Sequence, residues 1–305
     1  MKKKFSVNVE YNNTRLDRWF RKNVLDIPQS LIEKHIRKGN IKINKKKKKS
    51  SYKLVTNDEI ILHNLKFSAN KNKKKTIPYK ASKEERTFSS SLIIENNENF
   101  VILNKPAGIA VQSGTKSRKN IIDILRDTKE FLNYSPYVVH RIDKETTGIL
   151  IVAKNRKYAQ LFTSLFRIRK IHKTYLGILV GALEKNKGTF IDYLTNYEGE
   201  KKIKSKAITH YTVLDTNNKY SLVKLNPETG RKHQLRKQLL MRGCPIFGDK
   251  KYNLLNTNLV NKNTLMLHAY KINFSIADIK YNFKVKPPKI FLDLLKEKYL
   301  RIYFQ

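Results

Sequence analysis

The sequence predicts an α+β fold: a mixed, largely antiparallel central sheet with flanking helices, preceded by a small N-terminal α/β module. Three observations carry this. From residue 91 onward, short β-type runs outnumber helical stretches, and several follow one another at hairpin spacing. Residues 13–63 compress two amphipathic stretches, a glycine turn and two β-type runs into one short unit. Between the two regions, residues 64–90 are polar and lysine-rich, carry little periodicity, and read as a linker. Domains are therefore expected at 13–63 and 91–305.

In the N-terminal unit, Thr14 is placed to cap a helix opening with Arg15-Leu16-Asp17-Arg18-Trp19-Phe20. Ser30 is placed to cap a second helix, in which Leu31, Ile32, His35 and Ile36 recur at helical spacing before Gly39 ends it. Ile41-Lys42-Ile43-Asn44 alternates as a strand, Lys45–Lys49 continues as a basic loop, and the turn Thr56-Asn57-Asp58 leads into a strand at Glu59–Leu62. In the larger domain, strands are expected at 91–95, 100–103, 137–139, 149–152, 173–180, 207–214, 220–225 and 272–275. Helices are expected near 121–132, 159–166, 236–242 and 289–298.

The chain has 305 residues, enough for one large domain with a full core plus a small one. Its net charge of +39, from 64 basic and 25 acidic residues, calls for a polyanionic partner. The cations are mostly lysine and accompany abundant Asn and Ile, as a coding sequence rich in A and T would produce, so their distribution says more than their sum. Residues 1–80 carry a net +17, while the much longer 81–305 carries +22. That asymmetry is the footprint of a nucleic-acid-binding module.

Cys244 is the single cysteine, which excludes an internal disulfide and a cysteine-based metal site. No apolar run approaches a membrane span, and the basic start leads into no signal core, so a soluble cytoplasmic protein is expected. The chain has no phosphate loop, dinucleotide glycine pattern, HExxH or cysteine cluster. Neither a cofactor nor a metal is expected.

The most informative segment is Tyr137–Lys154, in which His140-Arg141-Ile142-Asp143-Lys144-Glu145-Thr146-Thr147-Gly148 separates two apolar β-type runs. Loops held by rigid strands are where chemistry is usually placed. Asp143 lies between two cations that favour its ionised form. Asp and Thr-Gly are also ordinary turn formers, so residue types alone leave a plain turn open. A second cluster, Thr229-Gly230-Arg231-Lys232-His233-Gln234-Leu235-Arg236, runs from a loop into a helix and puts four cations at its start. Helix N-termini favour anions, so such a cluster needs phosphates or carboxylates nearby. Asn104-Lys105-Pro106-Ala107-Gly108 interrupts a strand and by itself marks a turn, and Tyr175 in its strand is by itself ordinary half-buried packing.

These motifs resemble the RluA-type pseudouridine synthases. His140-Arg141-Ile142-Asp143 with Thr146-Thr147-Gly148 is similar to that family's HRLDxxTSG signature, with Ile142 for Leu and Thr147 for Ser. The 229–236 cluster is similar to its TGRTHQIR element, with Lys232 for Thr, and Asn104–Gly108 to its NKPxG element. Gly243–Asp249 and Leu265–Ala269 resemble its GxPIxGD and LxLHA stretches, and read as structural, as do Asp249 and His268. The order Arg15-Leu16-Asp17, Ser30-Leu31-Ile32, Gly39–Asn44 and Asp58-Glu59-Ile60 resembles the S-four RNA-binding module, and Arg37-Lys38-Gly39 onward looks most like the RluC subgroup.

The resemblance implies conversion of uridine to pseudouridine in large-subunit ribosomal RNA by a flipped-base route. It implies Asp143 as the catalytic carboxylate, Arg236 as its partner, and Tyr175 stacked on the base, although Tyr211 is an alternative on composition. It further implies RNA contacts from Arg141, entering the space the base left, and from His140, Lys105, Arg231, His233, Arg37 and Lys38. No obligatory protein partner is expected, and the enzyme is expected to be a monomer. A non-catalytic ribosome- or RNA-binding protein and a synthase acting on transfer RNA stand as alternatives. A glycosidase-like hydrolase is disfavoured, because hydrolysis usually needs paired carboxylates and only Glu145 lies close to Asp143 in sequence.

Overall fold

The computed structural model describes all residues except 1, 26, 64–80, 114–118, 199–200, 218, 255–263 and 304–305. The chain forms two compact units, Met1–Thr76 and Ile77–Gln305.

The smaller unit contains β1 (Lys2–Ser6), α1 (Leu16–Asn23), α2 (Gln29–Arg37), β2 (Ile41–Ile43) and β3 (Glu59–His63). Its antiparallel sheet runs β1-β3-β2. The apolar faces of both helices, including Leu16, Phe20, Ile32 and Ile36, meet Ile41, Ile43 and Ile60 in one core. Neither expected cap is used: α1 starts after Arg15 and α2 after Pro28, without side-chain cap bonds. Buried Asp17 ties the two helix starts together instead. It accepts bonds from Arg15 Nη2 (2.6 Å), the Arg18 amide (2.8 Å) and Gln29 Nε2 (2.8 Å). Asn44 and Lys45, at φ 48° and 65°, turn the chain tightly after β2, and Lys45–Lys49 stand exposed behind them.

The larger unit opens with α3 (Lys83–Ser91), which falls inside the stretch expected as linker. The reason is local: Ser82 Oγ accepts the Glu85 amide (3.2 Å) while Glu85 accepts the Ser82 amide (3.0 Å), a capping box that starts a helix without apolar periodicity. Residues 64–80 of that expected linker lie outside the described residues. There follow β4 (Ile93–Asn96), β5 (Phe100–Lys105), α4 (Ile121–Arg126), β6 (Tyr137–Val138) and β7 (Thr147–Ala153). Next come α5 (Arg156–Arg167), β8 (His172–Val180), β9 (Lys187–Glu198), β10 (Lys201–Thr216) and β11 (Tyr220–Pro227). The chain closes with α6 (Gln234–Leu240), β12 (Leu267–Ile276), β13 (Ile279–Lys284) and α7 (Lys289–Glu297).

The central sheet has the order β4-β5-β7-β12-β8-β11-β10-β9, with β6 also on β7 and β13 also on β12. Among the described pairings only β7 with β12 is parallel, so the sheet is mixed and largely antiparallel, as the sequence predicts. β7 is buried at every position, which its uninterrupted apolar run anticipates for a central strand covered on both faces. Its side chains alternate between two cores. Ile149 and Ile151 join Phe100 and Phe162 on one side, and Leu150 and Val152 join Ile121 and Phe131 on the other. A third core under β8, β10 and β11 receives Leu235 and Leu239 of α6 and Phe291 of α7. That packing fixes α6 against β8, β10 and β11.

Candidate active site

Asp143 lies in the turn between β6 and β7, and the local sequence builds the turn that presents it. Ile142 is buried in the core below, and the Thr146 amide donates to the Asp143 backbone carbonyl (3.1 Å). Gly148 has φ +104°, and a Cβ there would sit 2.3 Å from the Ala269 carbonyl oxygen of β12, so that parallel junction admits only glycine. Thr147 keeps the hydroxyl that serine would supply. His268 Nε2 donates to the Val285 carbonyl (2.9 Å), which leaves Nδ1 to accept from Thr147 Oγ1 (2.8 Å). Burial pushes His268 down to about 4, and it stands as a neutral pillar behind the turn.

Lys105, expected on RNA, is fully buried and cannot touch it. Its ammonium donates to the carbonyls of Pro106 (2.7 Å), Ile109 (3.0 Å) and Lys144 (3.0 Å), stapling the Asn104–Gly108 turn to the Asp143 turn. Burial pushes it down to about 8, and those carbonyls together with the nearby charges of Glu145 and Asp143 support its charged form. His140, also expected on RNA, is committed to the protein. Its Nε2 accepts the Ile151 amide (2.9 Å), its ring stacks on Phe166 (4.6 Å), and burial drives it to about 3. Both residues hold the loop that carries Asp143. Arg141, directly after His140, is exposed, with no protein partner among the described residues.

Arg236, 93 residues later in the first turn of α6, meets Asp143 with Nη1 at 3.3 Å from Oδ2. Its stronger partner is Asp249, which was expected to be merely structural. Nε and Nη2 grip both oxygens of that fully buried carboxylate at 2.6 and 2.7 Å, and Asp249 also accepts the Lys251 and Tyr252 amides (2.9 Å each). Burial works against the guanidinium, but the Asp249 and Asp143 carboxylates more than offset it and raise its pKa. His233, at φ 53°, has Nε2 3.7 Å from Asp143 Oδ1, while its Nδ1 lies 2.9 Å from the Tyr252 hydroxyl. The Tyr252 ring faces the Arg236 guanidinium at 5.0 Å. Burial lowers the pKa of His233, with the Asp143 charge opposing. Asp249 and Tyr252 are members of the site that reading the sequence as turn and core elements missed.

The remaining residues of the 229–236 cluster divide by role. Thr229 Oγ1 accepts the Ile208 amide (2.8 Å) and donates to Gln234 Oε1 (2.7 Å), so both shape the loop. Arg231 Nε donates to the Lys206 carbonyl (3.1 Å) from an exposed position, and Lys232 is exposed beside it. Tyr175 lines the same cleft, and its hydroxyl has no hydrogen-bond partner among the described residues. Burial, then the Asp143 charge, push its pKa up. Tyr211 instead stacks on Phe190 (4.3 Å) inside the core, which removes it as the alternative. The cleft is about 710 Å³, and Arg141, Asp143, Lys173, Tyr175, Arg231 and Arg236 are among its walls. Its only other lining carboxylate among the described residues, Glu228, is occupied by His210 (2.7 Å) and Arg169 (3.6 Å). Arg37 and Lys38 lie in the smaller unit, exposed at the end of α2 and followed by the lysine loop.

The profile of the family described as RNA pseudouridylate synthase matches residues 99–240, a span that contains Asp143, Tyr175 and Arg236. A ribosomal large subunit pseudouridine synthase C of Buchnera aphidicola subsp. Baizongia pistaciae is 33% identical over 287 residues, covering 90% of each chain. A protein of the same name from Rickettsia bellii is 34% identical, covering 91% of this chain and 96% of its own. Among solved structures, human RNA pseudouridylate synthase domain containing 4 superposes with a TM-score of 0.63 at 26% identity, covering 72% of this chain and 98% of its own.

Proposed function

The chain belongs to the RNA pseudouridylate synthase family, and from that premise we propose that it isomerises uridines of large-subunit ribosomal RNA with Asp143 as the catalytic carboxylate. The relatives' names support the substrate. The observation that carries the site is the carboxylate itself: Asp143 opens on a cationic cleft and is held by Arg236, which Asp249 holds in turn.

The reaction breaks the bond between sugar and base, turns the uracil, and joins a ring carbon to the same sugar carbon. It takes up no redox equivalent and no external group. A single carboxylate positioned at the sugar suffices, whereas hydrolysis of that bond usually needs a second one placed across it. Arg236 donates to the Asp143 carboxylate and, with the His233 ring on its other oxygen, holds it aimed in a site that substrate would close to water. The target uridine must leave its stack, at about a few kcal/mol, least in loops and bulges. Tyr175 offers its ring and an unengaged hydroxyl to the flipped base, and the unpaired Arg141 fills the space left in the RNA. Arg231 and Lys232, exposed at the cleft, meet flanking phosphates. The N-terminal unit, with Arg37, Lys38 and Lys45–Lys49 exposed, supplies affinity and placement. The proposal extends to an enzyme acting in the cytoplasm as a monomer; no helix among the described residues is long and apolar enough to cross a membrane.

The test is pseudouridine mapping of large-subunit ribosomal RNA from cells with and without the gene, repeated with purified protein on RNA from the deletion strain. Sites that vanish on deletion and return with wild-type protein but not with Asp143→Asn are the expected result. A map unchanged by deletion, with no pseudouridine formed in vitro, would overturn the substrate.

A further inference from the structure

Among the described residues, burial leaves four lysines with a lowered pKa: Lys105, Lys154, Lys173 and Lys237. The protein satisfies three of them. Lys105 has its three carbonyls, Lys154 lies over the rings of Tyr134 (4.9 Å) and Phe131 (5.8 Å), and Lys237 donates to the Thr195 carbonyl (3.0 Å). Lys173 is the exception. It is half-buried on β8, lines the cleft, and sits two residues before Tyr175 and so on the same side of the strand. Among the described residues no carboxylate, carbonyl or ring engages its Nζ, and burial alone lowers its pKa, with no carboxylate answering it. The neighbouring His140 offers nothing, since its Nε2 already accepts the Ile151 amide.

A desolvated cation without a counter-charge is costly, and its presence in a substrate cleft implies an anion that arrives with the substrate. A uracil carbonyl would supply one hydrogen bond and no counter-charge; a phosphodiester supplies both. We propose that Lys173 is a binding residue for a backbone phosphate of the RNA strand that carries the target uridine, next to the nucleotide held at Tyr175. This rests on the functional reading above and deepens it. Arg141 and Arg167, exposed and unpaired among the described residues, line the same cleft and draw the strand toward it.

The test uses full-length wild type, Lys173→Met and Lys173→Arg, with a fragment of large-subunit ribosomal RNA that the wild type modifies. Lys173→Met should bind about tenfold more weakly. The slope of log affinity against log salt should shrink by about 0.7, the contribution of one phosphate on a single strand. Lys173→Arg should recover most of both. Without RNA, the melting temperature of Lys173→Met should equal or exceed that of wild type, because the lost charge had no partner; a packing role would lower it. Substituting single phosphates by uncharged methylphosphonates should find one position that weakens wild type and leaves Lys173→Met unaffected. A salt slope equal to that of wild type overturns the proposal, whatever the melting temperature. If the wild type modifies no such RNA, the functional reading falls instead.

Discussion

Replacing Arg236 by Met tests the centre of the site, because it keeps most of the side-chain volume and removes the charge. Arg236 is 8% exposed, and its fork holds Asp249, whose side chain is fully buried. Without the guanidinium, Asp249 keeps only the Lys251 and Tyr252 amides, and Asp143 loses its 3.3 Å contact. Removing one partner of a buried ion pair costs about 3–5 kcal/mol, mainly because the other charge stays buried. For a unit of this size each kcal/mol moves the melting temperature by about 2–4 °C, so melting should fall by roughly 6–20 °C. The rate should fall separately, on the order of 10²-fold, because a carboxylate displaced by about 1 Å no longer meets the sugar. Arg236→Lys separates the two effects: one ammonium cannot span both carboxylates, so stability should return in part and the rate should not. The assays are a thermal melt followed by circular dichroism and single-turnover pseudouridine formation on ribosomal RNA. If Arg236→Met melted and reacted like wild type, neither the Asp143 nor the Asp249 pairing would matter as described.

Asp143→Asn should abolish pseudouridine formation while melting and RNA affinity stay near wild type; activity within a few-fold of wild type would remove Asp143 from its role. Tyr175→Phe keeps the stacking ring and loses the hydroxyl, so a rate fall of tenfold or more in a single-turnover assay is expected if that hydroxyl acts at the sugar, and an unchanged rate would confine Tyr175 to stacking. His140 and His268 titrate at about 3 and about 4 in the fold against 6.5 unfolded, so between those values the unfolded chain binds more protons. Their stabilisation should therefore be full above about pH 6.5 and be lost as pH falls toward 4 and 3; melts at pH 7.5 and 5 on wild type and His268→Asn check this, and equal losses in both would absolve His268. Deleting residues 1–80, which stops short of the Ser82 cap of α3, should leave the larger unit folded but with weaker RNA binding and a shallower salt slope, as read by filter binding at several salt concentrations.

What the sequence revealed, and what it hid, divides along a physical line. Backbone periodicity and glycine placement are local, so β5, β7, β8, β11 and α5 stand close to where apolar runs predict them, and Gly148 marks the parallel junction that turns the chain at Asp143. The direction of a charged side chain is not local. Lys105 and His140 sit in basic motifs and looked like RNA contacts. Lys105 is buried because three carbonyls from two loops converge on it, and the half-buried His140 is held because β7 offers it the Ile151 amide; neither arrangement shows in the motif itself. Asp249 was hidden for the converse reason. A carboxylate after Gly-x-Pro-Ile-x-Gly reads as a turn residue until Arg236, thirteen residues away, is seen to need a second anion. Some misses had a legible signal: the Ser82-Lys83-Glu84-Glu85 box announces α3 despite its polar surface, and Ile279–Lys284 alternates as β13 does. Charge thus says that an anion is bound, but only packing says which anion. The same test separates Lys173, whose ammonium no group among the described residues engages, from Lys105, whose ammonium is already satisfied.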